Sequence, residues 1–354
     1  MKVSAPGRIC LFGEHQDYFG LPVIAAAINL RIHISGKAKS NLNLEIDLPD
    51  IDEFERIDLE SEVRYTRKRD YLKSVINVLQ REGISFHQGW DCTVQGSIPI
   101  NSGTSSSSAL VVAWIKFLLE AAPEFNINAP HTIAELAFRA EVAEFNEPGG
   151  KMDHYASALG GIVNIHFDKE LNVHKYANPL KEFVLADSLI RKDTTSTLAH
   201  IKTNVLEGVA LLQKRIKGFQ LKSKIRQRER AEIERLPAIN RRFVEGTLKT
   251  RDLVAQGESL FQTTQFDHKQ FGQLLNSQQD VLREYIGVSS PKLDQMIATS
   301  LEQGALGAKI NGSGEGGCIF AYCPENAREV ADTLEKLGAK TYIIHIDEGV
   351  KLEA

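Results

Sequence analysis

The sequence predicts an α+β chain in two domains, and three observations carry that reading. Its 354 residues are enough for two cores of ordinary size. Short strand-like stretches mixed with helical patterns fill the first half. A mostly helical middle then gives way to alternating strand and helix.

In chain order, INLRIHISGKA (28–38) and NLNLEIDL (41–48) read as strands. RDYLKSVINVLQREG (69–83) and HTIAELAFRAEVAEF (131–145) carry helical periodicity. A strand pair in GGIVNIHFDKELNVHKY (160–176) closes the first unit, and EFVLADSLI (182–190) opens the second. The expected boundary lies within 170–185, giving domains 1–180 and 181–354. From Thr197 to Gln279 the pattern is mostly helical. Lys214 to Arg230 holds eight Lys or Arg against one Glu, with Phe219 alone as an aromatic, which reads as a solvated helical face or exposed turn. The strands GALGAKI and GGCIFAYC, the helix NAREVADTLEKLG and the strand KTYIIHI suggest a small sandwich with a sheet on one side.

Composition narrows the function. With 42% hydrophobic and 25% charged residues and a net charge of -4, the chain has no global field for nucleic acid or an anionic membrane. A small-molecule partner is expected, with the chain a monomer or homodimer. Cys10, Cys92, Cys318 and Cys323 show no CxxC spacing, so reduced thiols and a cytoplasmic location are expected. No signal-like segment and no apolar run of about 18 residues is present.

The run SIPINSGTSSSSAL (97–110) precedes ALVVAWIKFLLEAA, a helix apolar on nearly every face. Its serines therefore sit at a helix start, where unpaired N–H groups and a partial positive charge favour an anion. Two readings fit: plain N-capping, which needs one serine, and a phosphate cradle, which uses several. No GxxxxGK[ST] occurs. The glycines Gly312, Gly314, Gly316 and Gly317 include a GxGxxG spacing, but CIFAY after them reads as a strand. A tight strand-to-strand loop that can press its backbone on a ligand or another loop is expected instead.

APGRICLFGEHQDYFG, PINSGTSSSSA and GAKINGSGEGGC, in this order, resemble the galactokinase, homoserine kinase, mevalonate kinase and phosphomevalonate kinase (GHMP) family. The resemblance implies the two-domain GHMP kinase fold, with an N-terminal ribosomal-protein-like βαβ domain, a C-terminal ferredoxin-like domain and ATP between them. GRICLFGEHQDY looks most like the galactokinase motif, which implies sugar contacts from Glu14, His15, Asp17 and Tyr18. By the same resemblance Asp153 is the catalytic aspartate with Arg8 beside it, keeping it ionised. Gly103, Thr104, Ser105, Ser106, Ser107 and Ser108 fall on the ATP phosphate loop. Ser107 and Glu141 fall on the Mg²⁺ ligands, with Glu144 as the alternative glutamate. Ser108 stands where the family usually has Ala.

Two features depart from the galactokinase pattern. IRKDTTSTLAHIK replaces a Tyr-Asn-x-Arg-Arg stretch, and GVSSPKLDQMI has a mevalonate-kinase character. The expected function is a sugar 1-kinase acting on a neutral sugar such as galactose with ATP and Mg²⁺. Mevalonate kinase is the alternative. A uronic-acid kinase would set a substrate carboxylate against Glu14 and Asp17. A silent sugar sensor should have lost the serine loop or Asp153, and both are intact.

Overall fold

Strand β1 (Lys2–Phe12) is buried from Val3 onward and lies between two partners, β2 (Val23–Lys39) and β12 (Lys351–Leu352). Its apolar residues therefore have no wet face, which explains the near-continuous hydrophobic run. The computed structural model describes residues 1–59, 63–122, 125, 127–168 and 170–353.

Around this pair the first sheet adds β3 (Asn43–Leu48), β4 (Glu53–Asp58) and β5 (Gly89–Gly96), in the order β12-β1-β2-β5-β3-β4. The hairpin of β6 (Ile162–Phe167) and β7 (Leu171–Tyr176) joins through β2. The β3–β5 pairing is parallel, with Leu44 opposite Trp90, so a crossover is required. Helix α1 (Tyr71–Arg81), between β4 and β5, supplies it.

Helix α2 (Ser106–Ala121) packs on β1 and β2. Trp114 is fully buried, stacks on Phe117 at 5.5 Å and donates its indole N–H to Leu72 O at 3.1 Å. That anchor fixes the helix whose first turn faces the cleft; truncating such a side chain costs about 3–5 kcal/mol. Next come α3 (Pro130–Phe138), a π-helical turn (Arg139–Ala143) and α4 (Met152–Leu159).

The chain crosses to a second sheet at β8 (Phe183–Asp187). Helices α5 (Thr194–Arg215), α6 (Gln227–Glu234), α7 (Ala238–Phe261), α8 (His268–Val281) and α9 (Pro291–Glu302) follow. Then come β9 (Gly307–Ile310), β10 (Cys318–Tyr322), α10 (Ala327–Lys336) and β11 (Lys340–Ile344). The sheet runs β11-β8-β10-β9, all antiparallel, an arrangement of the ferredoxin-like kind expected for this half. After β11 the chain turns back: His345 O accepts from Asn29 N, and Lys351 pairs with Ser4. All eight cations of 214–230 are exposed while Phe219 and Leu221 are buried, as a solvated face requires. Among the described residues, no helix is long and apolar enough to cross a membrane.

Candidate active site

A cleft opens where β1 and the start of α2 meet the loops of the second sheet. Arg8, Glu14, His15, Asp17, Tyr18, Gly103, Ser105 to Ser108, Glu141, Asp153 and Gly312 all line it. Thr104 does not; its hydroxyl donates to Pro99 O and its carbonyl accepts from Arg8 N. Gly314, Gly316 and Gly317 do not line it; they pack beside Val288, Ile190 and Ser102 O.

Arg8 leaves β1 and grips Asp153 with two parallel hydrogen bonds, Nε to Oδ1 and Nη2 to Oδ2, each 2.7 Å. Asp153 sits in the first turn of α4 and also accepts from Ser105 Oγ at 2.6 Å. Burial alone would raise its carboxyl. The Arg8 charge and the hydrogen bonds from Ser105 and Arg8 outweigh burial and hold it below the usual carboxylate range.

Ser105 occupies the N-cap position of α2, yet its hydroxyl does not cap the backbone. Its left-handed backbone, φ 60°, turns the side chain toward Asp153 instead. The first turn of α2 therefore has no side-chain cap, and the hydroxyls of Ser106, Ser107 and Ser108 stand on the cleft wall. This arrangement goes against plain capping and suits an anion.

The glycine loop joins β9 to β10 as the sequence reading expects, and its backbone presses on the serine loop. Cys318 N donates to Ser102 O at 2.7 Å, and Asn311 Nδ2 donates to Gly103 O at 2.9 Å. At Gly312 φ is +78°, and a Cβ would stand 2.9 Å from Gly103 O, so a side chain is excluded there.

Glu14, His15, Asp17 and Tyr18 form a further part of the cleft wall. Glu14 Oε1 is paired with the fully buried Lys309 of β9, which also donates to Cys10 O at 3.1 Å and Ile310 O at 2.8 Å. The other oxygen of Glu14, Oε2, is buried with no hydrogen-bond partner among the described residues. Burial, with the charge of Lys192 adding, pulls the His15 imidazole down to about 4. Asp17 accepts from Met152 N at 3.2 Å and Tyr18 N at 3.0 Å. Burial, then the charge of Asp153, nonetheless pushes its carboxyl up to about 6. Burial likewise holds the Tyr18 phenol well above its usual value.

Glu141 lies in the π-helical turn after α3, and its Oε2 accepts from His154 Nε2 at 2.7 Å. Glu144, three residues on, faces away from the cleft: it binds Arg81 at 2.7 Å and accepts from the Tyr65 hydroxyl. No cluster of three or more His, Cys, Asp or Glu suited to a metal occurs among the described residues. Ser107 and Glu141 both line the cleft, and a hydroxyl with a carboxylate suits Mg²⁺, a hard cation that keeps water and phosphate oxygens as its other ligands.

Sequence reading missed Lys192, Lys309, Arg69 and Glu147. Arg69 binds Glu147 through two hydrogen bonds of 2.7 and 2.6 Å and also donates to Thr195 on α5. The lysine in GAKI was the only local hint of Lys309. Lys192, Thr194 and Leu198, all from the stretch that departs from the galactokinase pattern, line the cleft.

Three family models match the chain: a galactokinase galactose-binding signature over residues 1–38, a GHMP kinases N terminal domain over 70–161 and a GHMP kinases C terminal model over 259–340. Similar proteins include a mevalonate kinase of Thermococcus sibiricus, 28% identical, covering 99% of this chain and 97% of the relative. A galactokinase of Thermococcus kodakarensis is 29% identical, covering 99% of both chains. Among solved structures, Lactococcus lactis galactokinase complexed with galactose gives a TM-score of 0.84 at 21% identity, covering 99% of this chain and 94% of that one. Methanococcus jannaschii mevalonate kinase gives 0.73 at 20% identity, covering 98% of each. At these identities the structural likeness speaks for the fold alone. Matches to both halves of one kinase architecture, in chain order and with relatives spanning the full length, make this protein a member of the GHMP kinase family of ATP-dependent phosphotransferases.

Proposed function

We propose that the protein is a sugar 1-kinase that moves the γ-phosphoryl group of ATP to the anomeric hydroxyl of a neutral sugar such as galactose. One observation carries this reading: Glu14 Oε2, buried with no hydrogen-bond partner among the described residues, shares a cleft with His15, Asp17 and the Arg8–Asp153 pair. Buried polar atoms left unpaired call for a partner, and a ring of hydroxyls supplies several. The galactose-binding signature over residues 1–38 covers this same wall.

In the proposed step the anomeric oxygen bonds to the γ-phosphorus while the bond from that phosphorus to the β,γ-bridging oxygen breaks. The hydroxyl proton passes to Asp153, and ADP leaves with the bridging oxygen. Asp153, held ionised by Arg8, orients the hydroxyl and receives its proton. The open first turn of α2 and the backbone of Gly103 cradle the phosphates. Ser107 and Glu141 would hold Mg²⁺, which when bound supplies charge neutralisation.

Mevalonate kinase is the second reading, supported by relatives of comparable identity, 28% against 29%, and by the stretch at 190–202. A panel of neutral hexoses, pentoses, uronic acids and mevalonate with Mg-ATP, followed by ADP release, separates the two. Turnover of mevalonate with no sugar turned over rejects the sugar reading.

A further inference from the structure

The cations that line the cleft differ in what their donors already hold. Arg8 commits Nε and Nη2 to Asp153 and Nη1 to Gly103 O. Arg69 is taken by Glu147 and Thr195. Lys192 Nζ is buried and has no hydrogen-bond partner among the described residues. It rises from the loop between β8 and α5 and reaches the serine loop, where a Cβ on Gly103 would stand 2.7 Å from it. A buried ammonium with three unused donors is costly unless an anion joins it.

We propose that Lys192 is a catalytic residue, binding the transferring γ-phosphoryl group beside Gly103 of the serine loop. The assignment rests on the kinase reading above and extends it to a group in the second half of the chain. Negative charge in phosphoryl transfer spreads over three equatorial oxygens, and cations that meet it there stabilise the transition state. The first turn of α2 offers its open N–H groups to that charge. Arg8 is committed to Asp153 and Gly103 O, so Lys192, beside the same loop, is left to add a cation. Burial, with the Arg8 charge adding, pulls the ammonium down to about 8, the direction expected of a cation placed for a ligand rather than for a fixed ion pair.

The test compares two nucleotides on the full chain with Mg²⁺ and no acceptor: ADP, and a non-hydrolysable β,γ-imido analogue of ATP. Lys192→Met should lose about tenfold or more of its triphosphate affinity and less than about twofold of its ADP affinity. Lys192→Arg should restore most of the loss. The kcat of Lys192→Met should fall while acceptor KM stays within about twofold. Its melting temperature without nucleotide should equal or exceed wild type, because an unpaired buried charge is gone. Should Lys192→Met fail to fold, Lys192→Gln repeats the comparison.

Equal losses for ADP and the analogue overturn the assignment, as does no loss for either. An effect confined to the KM of an acidic acceptor also overturns it, since the ammonium would then hold an acceptor carboxylate. The nucleotide comparison contains no acceptor, so it stands even if the sugar reading fails.

Discussion

Arg8 and Asp153, 145 residues apart in sequence, are locked together by two 2.7 Å hydrogen bonds in the cleft. A planar guanidinium meeting a carboxylate in this way fixes both the position and the ionisation of the acid. Lysine at position 8 would keep the charge but lose the second bond.

This geometry makes Asp153 the residue on which turnover depends. Asp153→Asn should lower kcat by about 10²- to 10⁴-fold, the range for removing a positioned general base. Arg8→Lys should retain more activity than Arg8→Met, and both should keep a native circular dichroism spectrum. Coupled ADP release checks the order, and a variant Asp153→Asn with near-normal kcat contradicts it.

Asp17 sets the expected pH dependence. Its folded-state pKa of about 6 lies above the ordinary 3.8, chiefly through burial. The stability it contributes is full below the lower value and is lost as pH rises through the upper one. Asp17→Asn should therefore raise the melting temperature at neutral pH and leave it nearly unchanged in acid. As an acceptor of sugar hydroxyls Asp17 must be ionised, so wild-type kcat/KM for the sugar should fall as pH drops through about 6. A lower melting temperature for Asp17→Asn at neutral pH would show that the charge is not the strained element.

The two glutamates near α3 should separate cleanly. Ser107→Ala and Glu141→Gln should raise the Mg²⁺ concentration needed for half-maximal turnover, with little change in melting temperature for Ser107→Ala. Glu144→Gln, at a half-buried carboxylate that meets Arg81 and the Tyr65 hydroxyl away from the cleft, should leave the Mg²⁺ dependence alone and cost under about 1 kcal/mol of stability. Mg²⁺ titrations of initial rate decide between them.

Local patterns carried much of this molecule. The all-round apolar helix after 97–110 placed the serines at α2, and CIFAY marked a strand that made the glycines a loop. What lay beyond the sequence depends on distant contacts or on backbone detail. Lys309 meets Glu14 from 295 residues away, so no spacing announces the pair. Ser105 turns to Asp153 because of one left-handed residue, and Glu141 sits in a π-helical turn that helical periodicity does not distinguish. The return of the chain end to β1 rests on a two-residue strand, too short to leave a pattern.

The most direct measurement is the acceptor panel with Mg-ATP, read as ADP release and as the site of phosphate on the product. Phosphorylation of a neutral sugar at its anomeric oxygen, abolished by Asp153→Asn, is the predicted result. Turnover of mevalonate with every sugar inert would contradict the central claim.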